Sequence, residues 1–185
     1  MVAQTIGAYF FVKPIRVDGQ DFDLSIWDTA GEEKFDSLTN FYCRGAKVAV
    51  ICYDITRNET FTSVSRWVEK IKTEAEPNCA VVIVGNKLEL VEEQPYERRV
   101  SAGEAKKLAT SIGAGFIEVS AKSGKQVPAA FEMLVQIFVE KNGGKAALAV
   151  PRESIGKKIV LRRAQKQASK EADKKTPNST KCCSG

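Results

Sequence analysis

Three short groups of residues carry the chemistry open to this chain. Asp28-Thr29-Ala30-Gly31 follows a segment that alternates apolar and polar residues. Its carboxylate therefore falls at the carboxyl end of a strand, where open α/β sheets place their ligands. A carboxylate there can hold Mg²⁺ through water, and a glycine lets a backbone N–H approach a terminal phosphate. Asn86-Lys87-Leu88-Glu89 follows an apolar strand ending at Val84. The Asn amide suits the Hoogsteen edge of a purine, the Lys stem can cover the ring face, and the carboxylate can accept two N–H bonds from the Watson–Crick edge of guanine. Ser120-Ala121-Lys122 follows the next strand and offers a backbone N–H to guanine O6. Each group alone is more often an ordinary turn or loop. Together, in this order and each behind a strand, they form a set.

The elements that must position them alternate between strand and helix, which points to an α/β sheet with helices on both faces. A first strand is expected over about 8–17, with Pro14 placing it at a sheet edge where a missing donor does little harm. Asp18-Gly19 makes a hairpin turn to a partner strand, Phe22 to Trp27, in which Phe22, Leu24 and Ile26 alternate with polar neighbours. Val48 to Tyr53 and Ala80 to Val84 are continuously apolar, as parallel strands buried on both faces are, and Phe116 to Val119 is a weaker run of the same kind. Helical stripes run over 58–75 (Phe61, Val64, Val68, Ile71) and 125–141 (Val127, Phe131, Leu134, Val135, Phe138), while Ser101 and Glu104 open a third helix as a capping box.

The chain has 185 residues and a net charge of +5, but the charge is uneven. Residues 1–140 hold 16 Lys and Arg against 20 Asp and Glu, so the remaining 45 residues carry all the basicity, at +9. This region reads as a flexible basic tether from Asn142 onward. Ile155, Ile159 and Leu161 leave open a basic amphipathic helix over 154–170 lying on a membrane. A nucleic-acid-binding tail is disfavoured because no aromatic residue is interleaved with the charges. No apolar run is long enough to span a bilayer. With no histidine and five cysteines at 43, 52, 79, 182 and 183, there is no zinc-ligand spacing, and Cys43, Cys52 and Cys79 are expected to act as small apolar residues.

These residues together resemble the Rab family of Ras-like small GTPases from Thr5 onward. The resemblance rests on Trp27-Asp28-Thr29-Ala30-Gly31, Tyr42-Cys43-Arg44-Gly45-Ala46, Tyr53-Asp54-Ile55-Thr56, Gly85-Asn86-Lys87 and Glu118-Val119-Ser120-Ala121-Lys122. Thr5-Ile6-Gly7-Ala8 is most similar to the endosomal branch. The resemblance implies a P-loop NTPase-like three-layer α/β sandwich with a mostly parallel sheet, GTP/GDP and Mg²⁺ as ligands, and GTP hydrolysis. Thr5 and Asp28 would serve the metal, with Thr5 in the first switch and Gly31 in the second. Asn86, Lys87, Glu89, Ser120, Ala121 and Lys122 would hold guanine. Phe10, Trp27 and Tyr42 match an aromatic triad shown to effectors, although core packing explains Trp27 and Tyr42 equally well. Cys182 and Cys183 match a doubly geranylgeranylated terminus, and two lipids beside a basic tether suffice for stable attachment. The implied partners are effectors, an exchange factor, an activating protein, the prenylation machinery and a membrane surface. The implied form is a monomer on the cytoplasmic face of intracellular membranes, endosomal ones included, with a cytosolic pool.

Three departures accompany this resemblance. The family's opening strand, Gly-x-x-x-x-Gly-Lys-Ser/Thr loop and first helix have no counterpart, so 1–141 reads as a partial GTPase domain and 142–185 as its tail. In the family that strand lies centrally, between those formed here by about 21–27 and 48–53. Without it the chain is expected to be poorly folded or to repair its sheet by an irregular pairing. A lipid-anchored protein that binds no nucleotide and competes for effectors is the alternative function. Glu89 stands where the family has Asp, one methylene shorter. Glu32 stands where the family has the Gln that orients the attacking water, and a carboxylate accepts hydrogen bonds but donates none. In a form with the phosphate loop supplied, Glu32→Gln should therefore speed single-turnover GTP cleavage, and equal rates would refute that role for position 32.

Overall fold

Alternation of apolar and polar residues builds the first two strands. The computed structural model describes residues 8–29, 42–143 and 159–163. In it β1 (Ala8–Val17) and β2 (Gln20–Thr29) pair antiparallel around Asp18 and Gly19, whose φ values of 51° and 79° are those of a tight hairpin turn. Phe22, Leu24 and Ile26 are buried, as their period-two spacing requires. β1 lies at the sheet edge and tolerates Pro14 there.

The continuous apolar runs form β3 (Val48–Asp54), β4 (Ala80–Asn86) and β5 (Gly115–Glu118), paired in parallel in that order. Because successive side chains alternate faces, β3 serves two cores at once. Ala49, Ile51 and Tyr53 pack with Ile83 beneath α1 (Asn58–Thr62), α2 (Val64–Glu74), α3 (Leu88–Glu93) and α4 (Ala102–Ser111). Val48 and Val50 pack with Val82, Val84 and the β2 residues beneath α5 (Val127–Lys141). Ser101 accepts a bond from Glu104 N at 3.1 Å, as the capping pattern requires. The helix expected over 58–75 is two pieces meeting at Ser63, where Thr60, Thr62 and Ser63 hydroxyls bond backbone carbonyls and compete with the ladder. Cys43 and Cys79 are buried, and burial pushes the Cys79 thiol up to about 12, so it stays protonated at neutral pH.

The tail holds the main correction to the sequence reading. Ile159–Arg163 forms β6, which lies between β2 and β3 and runs parallel to both, giving the order β1-β2-β6-β3-β4-β5. The flexible tether expected from 142 onward and the amphipathic helix over 154–170 both fail at these five residues. Ile159-Val160-Leu161 is a consecutive apolar run of the kind parallel strands carry, and two open strand edges offer it hydrogen bonds on both sides. The sheet position expected to be missing is thus filled from the other end of the chain.

Packing between β3 and β4 is tight at Gly85, where an added Cβ would sit 2.8 Å from Tyr53 Oη and 3.1 Å from Ile55 Cγ1. That Tyr53 hydroxyl is buried without a hydrogen-bond partner, and burial, aided by the Glu118 charge, raises its pKa. Gly85→Ala should lower stability by about 1–3 kcal/mol. Tyr53→Phe removes the obstructing oxygen and should recover part of that loss in the double variant. Denaturant midpoints measure both effects, and strictly additive values would contradict the contact.

Candidate functional site

β2, β3 and β4 all end on the same side of the sheet, and the loops beyond them bring the predicted base-binding groups together. Asn86, the last residue of β4, uses Oδ1 to accept from Lys87 N at 2.8 Å and from Ala121 N at 3.0 Å. One amide thereby ties the loop after β4 to the loop after β5. Both bonds use the oxygen, so a ligand acceptor would meet the Nδ2 donors. Lys87 follows with φ 73°, a left-handed conformation that a residue other than glycine adopts at a cost of about 1–2 kcal/mol. That turn starts α3 and sets Glu89 in its first turn.

The second loop is drawn tight. Ser120 is fully buried, its Oγ accepting from Ser123 N at 3.1 Å and its carbonyl from Gly124 N at 2.8 Å. Its side chain therefore shapes the loop. Ala121 and Lys122 are exposed, and the Ala121 N–H expected to bond guanine O6 is engaged by Asn86. A base can take that donor only by sharing or exchanging the bond. Glu89 Oε2 is buried with no hydrogen-bond partner. A buried acceptor without a donor costs about 1–3 kcal/mol or more, and a ligand presenting N–H groups removes that cost.

Asp54 does structural work that its motif alone did not announce. Its Oδ2 pairs with Lys87 Nζ at 2.6 Å, and its Oδ1 accepts from Thr56 N at 2.9 Å and Thr56 Oγ1 at 2.7 Å. The lysine head is thereby anchored on β3. Asp followed two residues on by Thr is the Asx-turn pattern that signals such a carboxylate. Arg98 likewise holds the end of β5 through a two-point bridge to Glu118, at 2.6 and 2.9 Å. That bridge lies immediately before the Ser120 loop.

Asp28 reaches the same region. With Asn86 and Ala121 it lines a cavity of about 230 Å³ that Val50, Cys52 and Val84 also line. By register Arg162 of β6 stands level with Thr29 and Ile51, and Arg163 with Cys52, at this carboxyl end. The three aromatic residues form a separate row: the Phe10 and Trp27 rings lie 4.9 Å apart and Trp27 and Tyr42 5.0 Å apart, with Phe10 half exposed. Thr5, Gly31, Glu32, Cys182 and Cys183 lie outside the described residues. Among the described residues no group of three or more His, Cys, Asp or Glu is placed to hold a metal ion, and no helix is long and apolar enough to cross a membrane.

This chain matches the Ras family over residues 1–140. It belongs to that family. Rab-related proteins are among the relatives it matches. It is 37% identical to Ras-related protein Rab-3 of Caenorhabditis elegans over 169 residues, covering 91% of this chain and 75% of that protein. It is 41% identical to RABA5c of Arabidopsis thaliana, covering 71% of this chain and 60% of that protein. It is 40% identical to putative Rab-5B of Dictyostelium discoideum, covering 74% and 62%. This Rab-like chain thus spans about three fifths of the length of RABA5c and Rab-5B.

The Asp54 carboxyl gives a pH prediction. Burial alone would raise its pKa, but hydrogen bonds from Lys87 and Thr56 outweigh burial and hold it below the usual value. Its contribution to stability is therefore full above the ordinary carboxylate range and is lost as pH falls through the lower, folded-state value. Asp54→Asn should lower the unfolding midpoint at neutral pH and flatten its fall on acidification. A variant whose midpoint falls with acid as steeply as the parent's would contradict the assignment.

Proposed function

We propose that this chain is a Rab-type GTP/GDP-dependent switch in intracellular vesicle traffic, with guanine read by Asn86, Lys87 and Glu89. The observation that carries the reading is the unpartnered, buried Glu89 Oε2 in the first turn of α3, which follows the residue that Asn86 ties to Ala121. Two N–H donors side by side, as guanine N1 and N2 supply, satisfy it, whereas adenine has no such pair. Asp28 at the end of β2 suits a water-mediated Mg²⁺ contact. Thr5 and Gly31 are proposed as the γ-phosphate sensors of the two switches and Glu32 as the residue facing the attacking water. Loss of the phosphate then releases both loops and changes the surface that partners read.

Phe10, Trp27 and Tyr42 are the proposed effector surface, supported by their continuous ring contacts and the exposure of Phe10. Cys182 and Cys183 are the proposed lipidation sites, carried on a basic segment suited to anionic membrane surfaces. Exchange factor, activating protein and prenylation machinery follow as partners, and endosomal membranes as one location.

The test is the nucleotide content of the purified protein and its competition profile. Bound guanine nucleotide is expected, with GTP displacing it better than XTP or ATP. Glu89→Ala should weaken binding by on the order of tenfold to a hundredfold, the loss of one or two charge-assisted bonds. Absence of guanine nucleotide, together with capture of Rab effectors through the Phe10 surface, would replace this reading with that of a competitor for effectors that binds no nucleotide.

A further inference from the structure

The two loops that carry the proposed guanine-reading groups are joined at more than the Asn86 amide. Leu88 N donates to Val119 O at 3.0 Å, close to the bond from Ala121 N to Asn86 Oδ1, and fixes the start of α3. The far end of α3 is tied by Lys125, whose Nζ lies 2.6 Å from Glu92 Oε1. α3 spans only six residues, too few to hold its place by its own ladder, so its position depends on what fastens it. Glu92 stands three residues beyond Glu89, and residues so spaced share one face of a helix. Lys125 is itself held firmly. Its carbonyl accepts from Ser120 N at 3.0 Å and its N–H donates to Ser123 Oγ at 3.3 Å. Gly124 and Gln126 on either side have φ of 81° and 60°, so the backbone turns sharply about it. A displacement of Lys125 therefore passes to Ser120 and to the Ala121 amide beside it. At the other end of the loop Glu118 is held by Arg98. The Ser120 loop is thus strung between two ion pairs, both made to the segment 88–98 that carries Glu89.

We propose that the Glu92–Lys125 ion pair is a latch across the base-reading site and that Lys125 is a positioning residue for guanine, a role that rests on the guanine reading given above. The latch keeps the Ala121 side of the site at a fixed spacing from Glu89. The Lys125 and Glu92 side chains are 53% and 46% exposed, so the pair adds little to overall stability and opens readily to water and salt. Its effect falls on ligand residence. An open latch lets the two sides part, and a base held by groups on both leaves sooner, while encounter is changed less.

The test is the release of a fluorescent GDP from the full-length protein, chased with excess GDP, in Glu92→Gln, Lys125→Gln and the double variant. Each single change should speed release by about 1.5-fold to fivefold, and the double variant should release no faster than either. The sign for Glu92→Gln is decisive. Removing a negative charge near a polyphosphate slows its release through the field alone, whereas loss of the latch speeds it. Lys125→Arg keeps a cation in place and should release at the parent's rate. Glu69→Gln breaks an exposed pair of the same kind with Lys72 on α2 and should also leave release unchanged. Slower or unchanged release in Glu92→Gln, additive effects in the double variant, or an equal effect of Glu69→Gln overturns the latch. Amide exchange of Ala121 and Gly124 in the full-length protein stripped of nucleotide tests it without a ligand. Lys125→Gln should raise exchange at both amides by a similar factor, and unchanged exchange overturns the latch. A parent that binds no fluorescent GDP overturns the guanine reading and the role of Lys125 toward guanine, while the exchange result still decides whether the pair fastens the two loops.

Discussion

The double pairing of β6 is the interaction on which the rest of the structure depends. A parallel sheet needs both edges of its inner strands filled, because each unpartnered buried N–H or C=O costs on the order of 1–3 kcal/mol against a whole-domain stability of about 5–15 kcal/mol. Here the inner position is taken by residues remote in sequence from their neighbours. Such a long-range closure is entropically costly and forms late relative to local contacts. The two cores are arranged to make it worthwhile. One lies beneath α5 and includes the buried residues of β2, the other lies beneath α1 to α4, and β3 contributes to both.

The site inherits its geometry from that sheet. Asp28 and Asn86 lie at the ends of strands separated by β6 and β3, so their approach to one cavity depends on the sheet being continuous between them. Locally, the site is held by a few directional bonds. Asn86 ties two loops, Asp54 anchors Lys87, and Arg98 anchors the end of β5 through Glu118. These contacts fix backbone and lysine while leaving Glu89 Oε2 without a donor. A rigid frame around one unsatisfied carboxylate is an arrangement suited to reading a ligand's N–H groups.

Much of this was legible in the residues. The alternation of Phe22, Leu24 and Ile26, the unbroken runs of β3 and β4, and the Ser101–Glu104 capping pair predicted their elements because each signal is local. The meeting of the Asn86 and Ala121 loops was legible because each follows a parallel strand that ends on the same side of the sheet. The tail was misread for an equally physical reason: Ile159-Val160-Leu161 amid lysines and arginines is ambiguous between tether, helix and strand until an open sheet edge decides it. The break at Ser63 reflects hydroxyls bonding to carbonyls, which the apolar stripe cannot reveal. The short helix carrying Glu89 was missed because it depends on the left-handed turn at Lys87, and lysine is not a residue that signals one.

The most direct test of the account compares thermal unfolding of two truncated chains, one ending after Arg163 and one ending after Gly143. A single cooperative transition close to that of the full chain is expected for the longer form, and a lower, broadened transition or none for the shorter. Equal midpoints and equal cooperativity for the two would show that β6 does not complete the sheet, and would contradict the account at its centre.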